Sequence, residues 1–152
     1  MRSLCAIFIL SAVAASAGAA PAFQVEIAIN EPSVKTDFYK KMGEFFVDTH
    51  VTNISDSTQS ITVWTQPGWS WVSDTPSITP GTEALKNVPS FVTLKPGQDY
   101  KSGAEMFADL HAKRPVTFRL GFVPNTKLPA SGIPGREKDK DIIWSNPVTL
   151  TQ

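Results

Sequence analysis

Val116-Thr117-Phe118-Arg119-Leu120-Gly121-Phe122 alternates large apolar residues with polar or small ones at a period of two. That spacing belongs to a β-strand with one buried face, because successive side chains point to opposite sides of a sheet. The same period recurs on either side. Val25, Ile27 and Ile29 alternate with Glu26 and Ala28 until Asn30-Glu31-Pro32-Ser33 breaks the run. Phe45, Val47, Thr49 and Val51 alternate with Phe46, Asp48, His50 and Thr52, and the polar tract 53–60 then reads as a hairpin turn. Ile61, Val63 and Thr65 share a face opposite Thr62 and Trp64 until Pro67-Gly68 interrupts. Trp69-Ser70-Trp71-Val72 reads as a further short strand or an ordered loop, and Phe91 to Leu94 ends at the turn signal Lys95-Pro96-Gly97. Ile142-Ile143-Trp144 and Val148 to Leu150 close the domain, with Asn146-Pro147 as a bend or bulge between them.

Helix is scarce. Val34 to Glu44 admits a helical turn or two, or else a hairpin with Tyr39, Phe45 and Phe46. Gly103 to Ala112 carries modest helical propensity through Ala104, Glu105, Met106, Ala108 and Leu110, yet equally fits a strand after the Pro96-Gly97 turn. The 12 prolines and 9 glycines sit mainly between the periodic runs, where they end strands without cutting ladder hydrogen bonds. The expected fold is all-β: an immunoglobulin-like antiparallel β-sandwich of about seven strands, without the cysteine–tryptophan–cysteine hallmark of antibody domains. With no repeat and no low-complexity linker, one domain is expected over residues 23–152.

Residues 1–22 read as a secretory signal peptide. Arg2 supplies the basic start, Leu4 to Leu10 with Ala12 to Ala15 the apolar run, and Ala14 to Ala20 the small-residue cleavage tract. The run is too short, and too diluted by Ser and Gly, for a bilayer-spanning helix. Its removal takes Cys5, the only cysteine, so a mature chain of about 130 residues relies on packing for stability. Losing Arg2 from 14 basic residues leaves 13 against 14 acidic ones, a net charge of −1. Such balance gives no reason to expect a nucleic-acid partner. A secreted or periplasmic protein, with no membrane insertion after processing, is the expectation. Asn53-Ile54-Ser55 fits the N-glycosylation pattern and is read as a turn.

Val47 to Asn53, Ser55-Asp56 and Ile61 to Thr65 together resemble the strand–N-x-S-D–strand opening of bacterial immunoglobulin-like domains. Val92-Thr93-Leu94-Lys95-Pro96-Gly97-Gln98 is similar to their recurrent hydrophobic-T-L-K-P-G-E/Q turn. The Bacillus-type intracellular proteinase inhibitor domain shares this layout. The resemblance covers roughly residues 45 to 123, and its motifs specify turns, not chemistry. It implies a sandwich that binds or supports something, and no inhibitory residue carries over. The Trp-rich segment and the long 125–141 loop depart from the pattern.

Catalytic machinery is poorly supplied. There is no thiol in the mature chain, no G-x-S-x-G elbow and no phosphate-cradling glycine loop, and a Ser-His-acid arrangement would have to use His50 or His111. No enzyme activity and no cofactor are expected. Asp48-Thr49-His50 and Asp109-Leu110-His111 are both D-x-H, which on a strand puts carboxylate and imidazole on one face. Two such pairs brought together would suit Zn²⁺ or a similar ion; the bland alternative is coincidence. Trp69 and Trp71, at i and i+2, would share a face on a strand and, with Trp64, form an aromatic cluster for a sugar ring or a protein interface. The competing reading buries Trp64, Trp71 or Trp144 in the core. Arg119 points away from the Phe118 side, either to pair with an acidic neighbour or to anchor a partner's carboxylate. The leading expectation is a non-catalytic module binding another extracytoplasmic protein through an edge strand or the loops near Trp69 and 125–141. Carbohydrate binding through Trp69 and Trp71, or metal binding in the periplasm, are the alternatives.

Overall fold

A computed structural model describes residues 22–30, 35–36, 41–82, 87–124 and 141–151. The expected leader and nearly all of the 125–141 loop lie outside the described residues. In chain order the strands are β1 (Phe23–Ile29), β2 (Lys35–Thr36), β3 (Met42–Asn53), β4 (Gln59–Trp64), β5 (Trp71–Ser73), β6 (Ile78–Pro80), β7 (Pro89–Leu94), β8 (Asp99–Asp109), β9 (Val116–Phe118), β10 (Leu120–Phe122), β11 (Ile143–Trp144) and β12 (Val148–Leu150). One helical turn, α1 (Pro67–Ser70), interrupts them.

The longest alternating runs pair with each other. β3 and β8 form an antiparallel ladder from Met42↔Asp109 to Thr52↔Asp99. β1 adds on one side of β3 and β6 on the far side of β8, giving the order β1-β3-β8-β6, with the short β2 also on β3. Gly103 to Asp109 is thus strand. Pairing along the whole of β3 outweighs the weak helical preference of its alanines. The Val34–Glu44 stretch holds a short strand pair, Lys35↔Glu44 and Thr36↔Gly43.

A second layer faces this sheet, made of the pairs β4–β7 and β9–β12 and the three strands β11-β10-β5. Between the layers lie Val25 and Ile27 from β1, Phe45, Val47 and Val51 from β3, and Ala104 and Met106 from β8. From the other side come Ile61, Leu94, Phe118, Leu120, Phe122 and Leu150. Phe45 meets Phe118 edge-on across the core, with ring centroids 5.9 Å apart at 77°. The architecture is an all-β antiparallel sandwich, as the periodicity predicts.

Two local details depart from the expected layout. The run from Val116 to Phe122 is two strands: β9 pairs with β12, and β10 pairs with β11 and β5. Alternation continues across Arg119, but the chain changes partners there. The Asn53 turn is internal. Asn53 is fully buried; its Nδ2 donates to the Ser57 and Leu94 carbonyls, and its Oδ1 accepts from Ser55 N–H and hydroxyl. That arrangement ties the β3–β4 turn to the end of β7.

Candidate functional site

The tryptophans take two different environments. Pro67 starts a helical turn, where its fixed φ suits the first position, so Trp69 lies on α1 while Trp71 opens β5. The two therefore do not share a strand face, which corrects the i, i+2 expectation. Trp71 is buried and packs on its ladder partner Phe122 at 5.1 Å. Trp69 is half-buried and lies 4.8 Å from the Trp64 ring, tilted by 41°. Such a pair offers no coplanar platform.

Arg119 takes the bland alternative. Its Nε–H donates to Asp74 Oδ2 at 2.9 Å, its backbone N–H donates to Asp74 Oδ1, and its guanidinium sits 5.3 Å from the Trp144 ring centroid. Partial burial pushes the Asp74 carboxyl up. The hydrogen bonds from the Arg119 backbone and side chain and from the Thr75 hydroxyl, with the Arg119 charge, outweigh it and leave the carboxyl below its ordinary value. Beside this pair, Trp144 and Ile142 lie directly on Gly121, where a Cβ would collide with Ile142 Cγ2 and meet the Trp144 ring at 3.1 Å.

The two D-x-H pairs lie far apart. Asp48 is opposite Gly103 on the ladder, while Asp109 is opposite Met42, six residues further along β8, or about 20 Å. Asp48 accepts from Asn30 Nδ2, and Asp109 Oδ1 accepts from the His111 N–H, closing the turn after β8. Among the described residues no group of three or more His, Cys, Asp or Glu is placed to hold a metal ion.

Features not singled out by the sequence stand out instead. Phe91, on the outer face of β7, is 82% exposed. It pairs with Thr62, so Trp64, two residues further along β4, is its diagonal neighbour on the same face, with the Trp69 ring tilted against Trp64. A large phenyl group in a strand with alternation on its other face was the available signal.

The far edge of β8 is only partly covered. Ser77 C=O accepts from Asp109 N–H, and Glu105 C=O accepts from Gly81 N–H at 2.9 Å, so odd-numbered residues of β8 direct their backbone polar groups away from β3. β6 ends at Pro80, opposite Met106. Beyond Gly81 the N–H groups of Lys101 and Gly103 face that open edge, with no backbone partner among the described residues. A cavity of about 250 Å³ opens at the same place and runs between the layers to Val63, Trp71 and Phe122, with Ser90, Ser102 and Gly103 near its mouth. A shallower depression of about 200 Å³, also reaching Gly103, continues past Gly81 and Glu105 to Phe46.

No family model matches the sequence, and no curated protein does. Among solved structures, the chain is similar to a FixG-related protein from Vibrio parahaemolyticus, at 7% identity and a TM-score of 0.43, over 86% of this chain and 96% of that one.

Proposed function

We propose that the protein is an exported, non-catalytic immunoglobulin-like interaction module that binds another extracytoplasmic protein. The observation that carries this reading is Phe91, 82% exposed and diagonal on the β4–β7 ladder from Trp64 of the tilted Trp64–Trp69 pair. An exposed phenyl group next to half-buried tryptophans is costly to leave in water and has the composition of an interface hot spot. The leader-like first 22 residues support export, and a mature sequence with no thiol, no G-x-S-x-G elbow and no phosphate-cradling glycine loop favours binding over chemistry.

The test is chemical cross-linking in the native envelope fraction, with and without excess purified protein as competitor. The expected result is one reproducible, competable protein adduct that Phe91→Ser reduces at least tenfold while the folded fraction is unchanged. Loss of competition, or a Phe91→Ser variant that captures as well as the parent, would remove the reading.

A further inference from the structure

Four features converge at one end of β8: backbone donors without a partner among the described residues, a cavity entering the core, a residue without a side chain, and acidic neighbours. Lys101 and Gly103 point their N–H groups at this edge, and among the described residues the Gly103 carbonyl accepts only the Ser102 hydroxyl, at 3.3 Å. The fold does not itself demand glycine at 103: an added Cβ meets nothing within 4 Å, and the backbone has no positive φ. A glycine inside a strand that packing does not require is the pattern left where another backbone approaches closely. The cavity is lined by this glycine, by the apolar side chains of Val63, Trp71 and Phe122, and by the hydroxyls of Ser70, Ser90 and Ser102. Its volume suits one or two small aliphatic side chains entering between the layers.

Charge selects the occupant. Glu26, Asp48, Asp99 and Glu105 lie on the outer face of this sheet, on the same side as Lys101, the one lysine there among the described side chains. Lys101 is 3.4 Å from Asp99, so that pair largely cancels. Asp48, directly opposite Gly103, accepts a hydrogen bond from the neutral Asn30 carboxamide and is paired with no cation among the described residues.

We infer that the β8 edge between Lys101 and Gly103 accepts an extended, basic segment of a partner protein by strand addition. Its backbone pairs with Lys101 and Gly103, one small apolar side chain enters the cavity, and Lys or Arg residues on the outward-facing alternate positions meet Asp48 and its acidic neighbours. The inference rests on the reading of the chain as an interaction module, but it uses a different surface from Phe91.

The experiment is selection from a random dodecapeptide library on the immobilised full chain, followed by affinity measurement with the enriched peptides. The expected peptides alternate small aliphatic residues with Lys or Arg. They protect the Lys101 and Gly103 amides from hydrogen exchange and bind at least tenfold more weakly to three variants. Gly103→Pro removes an outward-facing donor without taking a bond from β3. Ser90→Phe fills the cavity mouth from a position exposed in the free protein, and remains informative if Gly103→Pro fails to fold. Asp48→Lys reverses the charge. No enrichment over an empty support, enriched peptides without basic residues, or unchanged affinity for Ser90→Phe would each overturn the inference. If any of these occurs while Phe91-dependent capture persists, the strand-addition site alone is lost.

Discussion

The two edges of the β1-β3-β8-β6 sheet solve the same problem in opposite ways. At the β1 edge the Asn146 carboxamide stands in for a strand: Oδ1 accepts Ile27 N–H at 2.8 Å and Nδ2 donates to Ile27 C=O at 3.0 Å. At the other edge the β6 ladder spans Met106 to Ala108 of β8, and the two outward residues beyond Gly81 have no backbone partner among the described residues. An exposed edge invites pairing, and proteins normally blunt it with charge or cover. Here one edge is sealed by a side chain that imitates backbone, and the other carries a lysine and a glycine beside a cavity. The difference teaches that edge exposure in this molecule is selective.

The largest expected effect comes from breaking the sealed edge. Asn146→Ala strands a partly buried N–H and C=O on Ile27, costing about 2 kcal/mol of unfolding free energy. Denaturant melts measure the loss, and the Ile27 amide should then exchange about as fast as that of Gly103. Retained protection at Ile27 would mean that Asn146 seals nothing. Next comes the last residue that covers β8. A Cβ at Gly81 meets Glu105 Oε2 at 2.8 Å and Glu105 O at 3.3 Å, and the Phe107 ring at 3.4 Å. Gly81→Val should therefore lift this end of β6 and cost about 1–2 kcal/mol, the range of overpacked sites. Protection should fall at Glu105 and Phe107 but not at Ile27.

How much of this was legible in the sequence follows from what alternation encodes. A period of two reports which face is buried, so β1, β3 and the inward residues of β9 and β10 could be read directly from Val25, Phe45, Phe118 and Phe122. It does not report partners. For that reason the break at Arg119 was invisible, and Ala104 to Ala108 fitted helix or strand equally until β3 was seen to pair along their whole length. Pro67-Gly68 read as an interruption, whereas Pro67 starts the helical turn that separates Trp69 from Trp71. The Asn146-Pro147 bend was correctly placed, but that its carboxamide would meet Ile27, 119 residues away, depends on tertiary placement alone. The open edge had a local signal, Lys101 and Gly103 in one strand, that gains meaning only once β8 is known to lie beside a truncated β6.

A smaller effect isolates the comparison from global stability. The Asp74 carboxyl lies below its ordinary value in the folded chain. Its contribution is therefore fully present above the unfolded carboxylate pKa, about 3.9, and is lost as pH falls through the lower folded value. Because Asp74 and Arg119 are both partly exposed, at 26% and 46%, screening keeps this contribution below about 1 kcal/mol. Asp74→Asn should flatten the acid limb of the stability profile by that amount. It should leave the ratio of Ile27 to Gly103 exchange unchanged, since the pair lies in the other layer.

The smallest effect is the most discriminating. Gly121 and Gly103 are both strand glycines, yet a Cβ at the first collides with Ile142 and at the second meets nothing within 4 Å. Gly103→Ala should therefore change unfolding free energy by no more than about 0.5 kcal/mol, the range for surface sites free of special backbone geometry. The sign of the change can be stabilising, because alanine restricts the unfolded chain more than glycine does. A destabilisation of about 2 kcal/mol in urea melts would show that position 103 is held by packing, like position 121. The glycine would then be a demand of the fold, and its coincidence with the open edge would no longer point to an approaching strand.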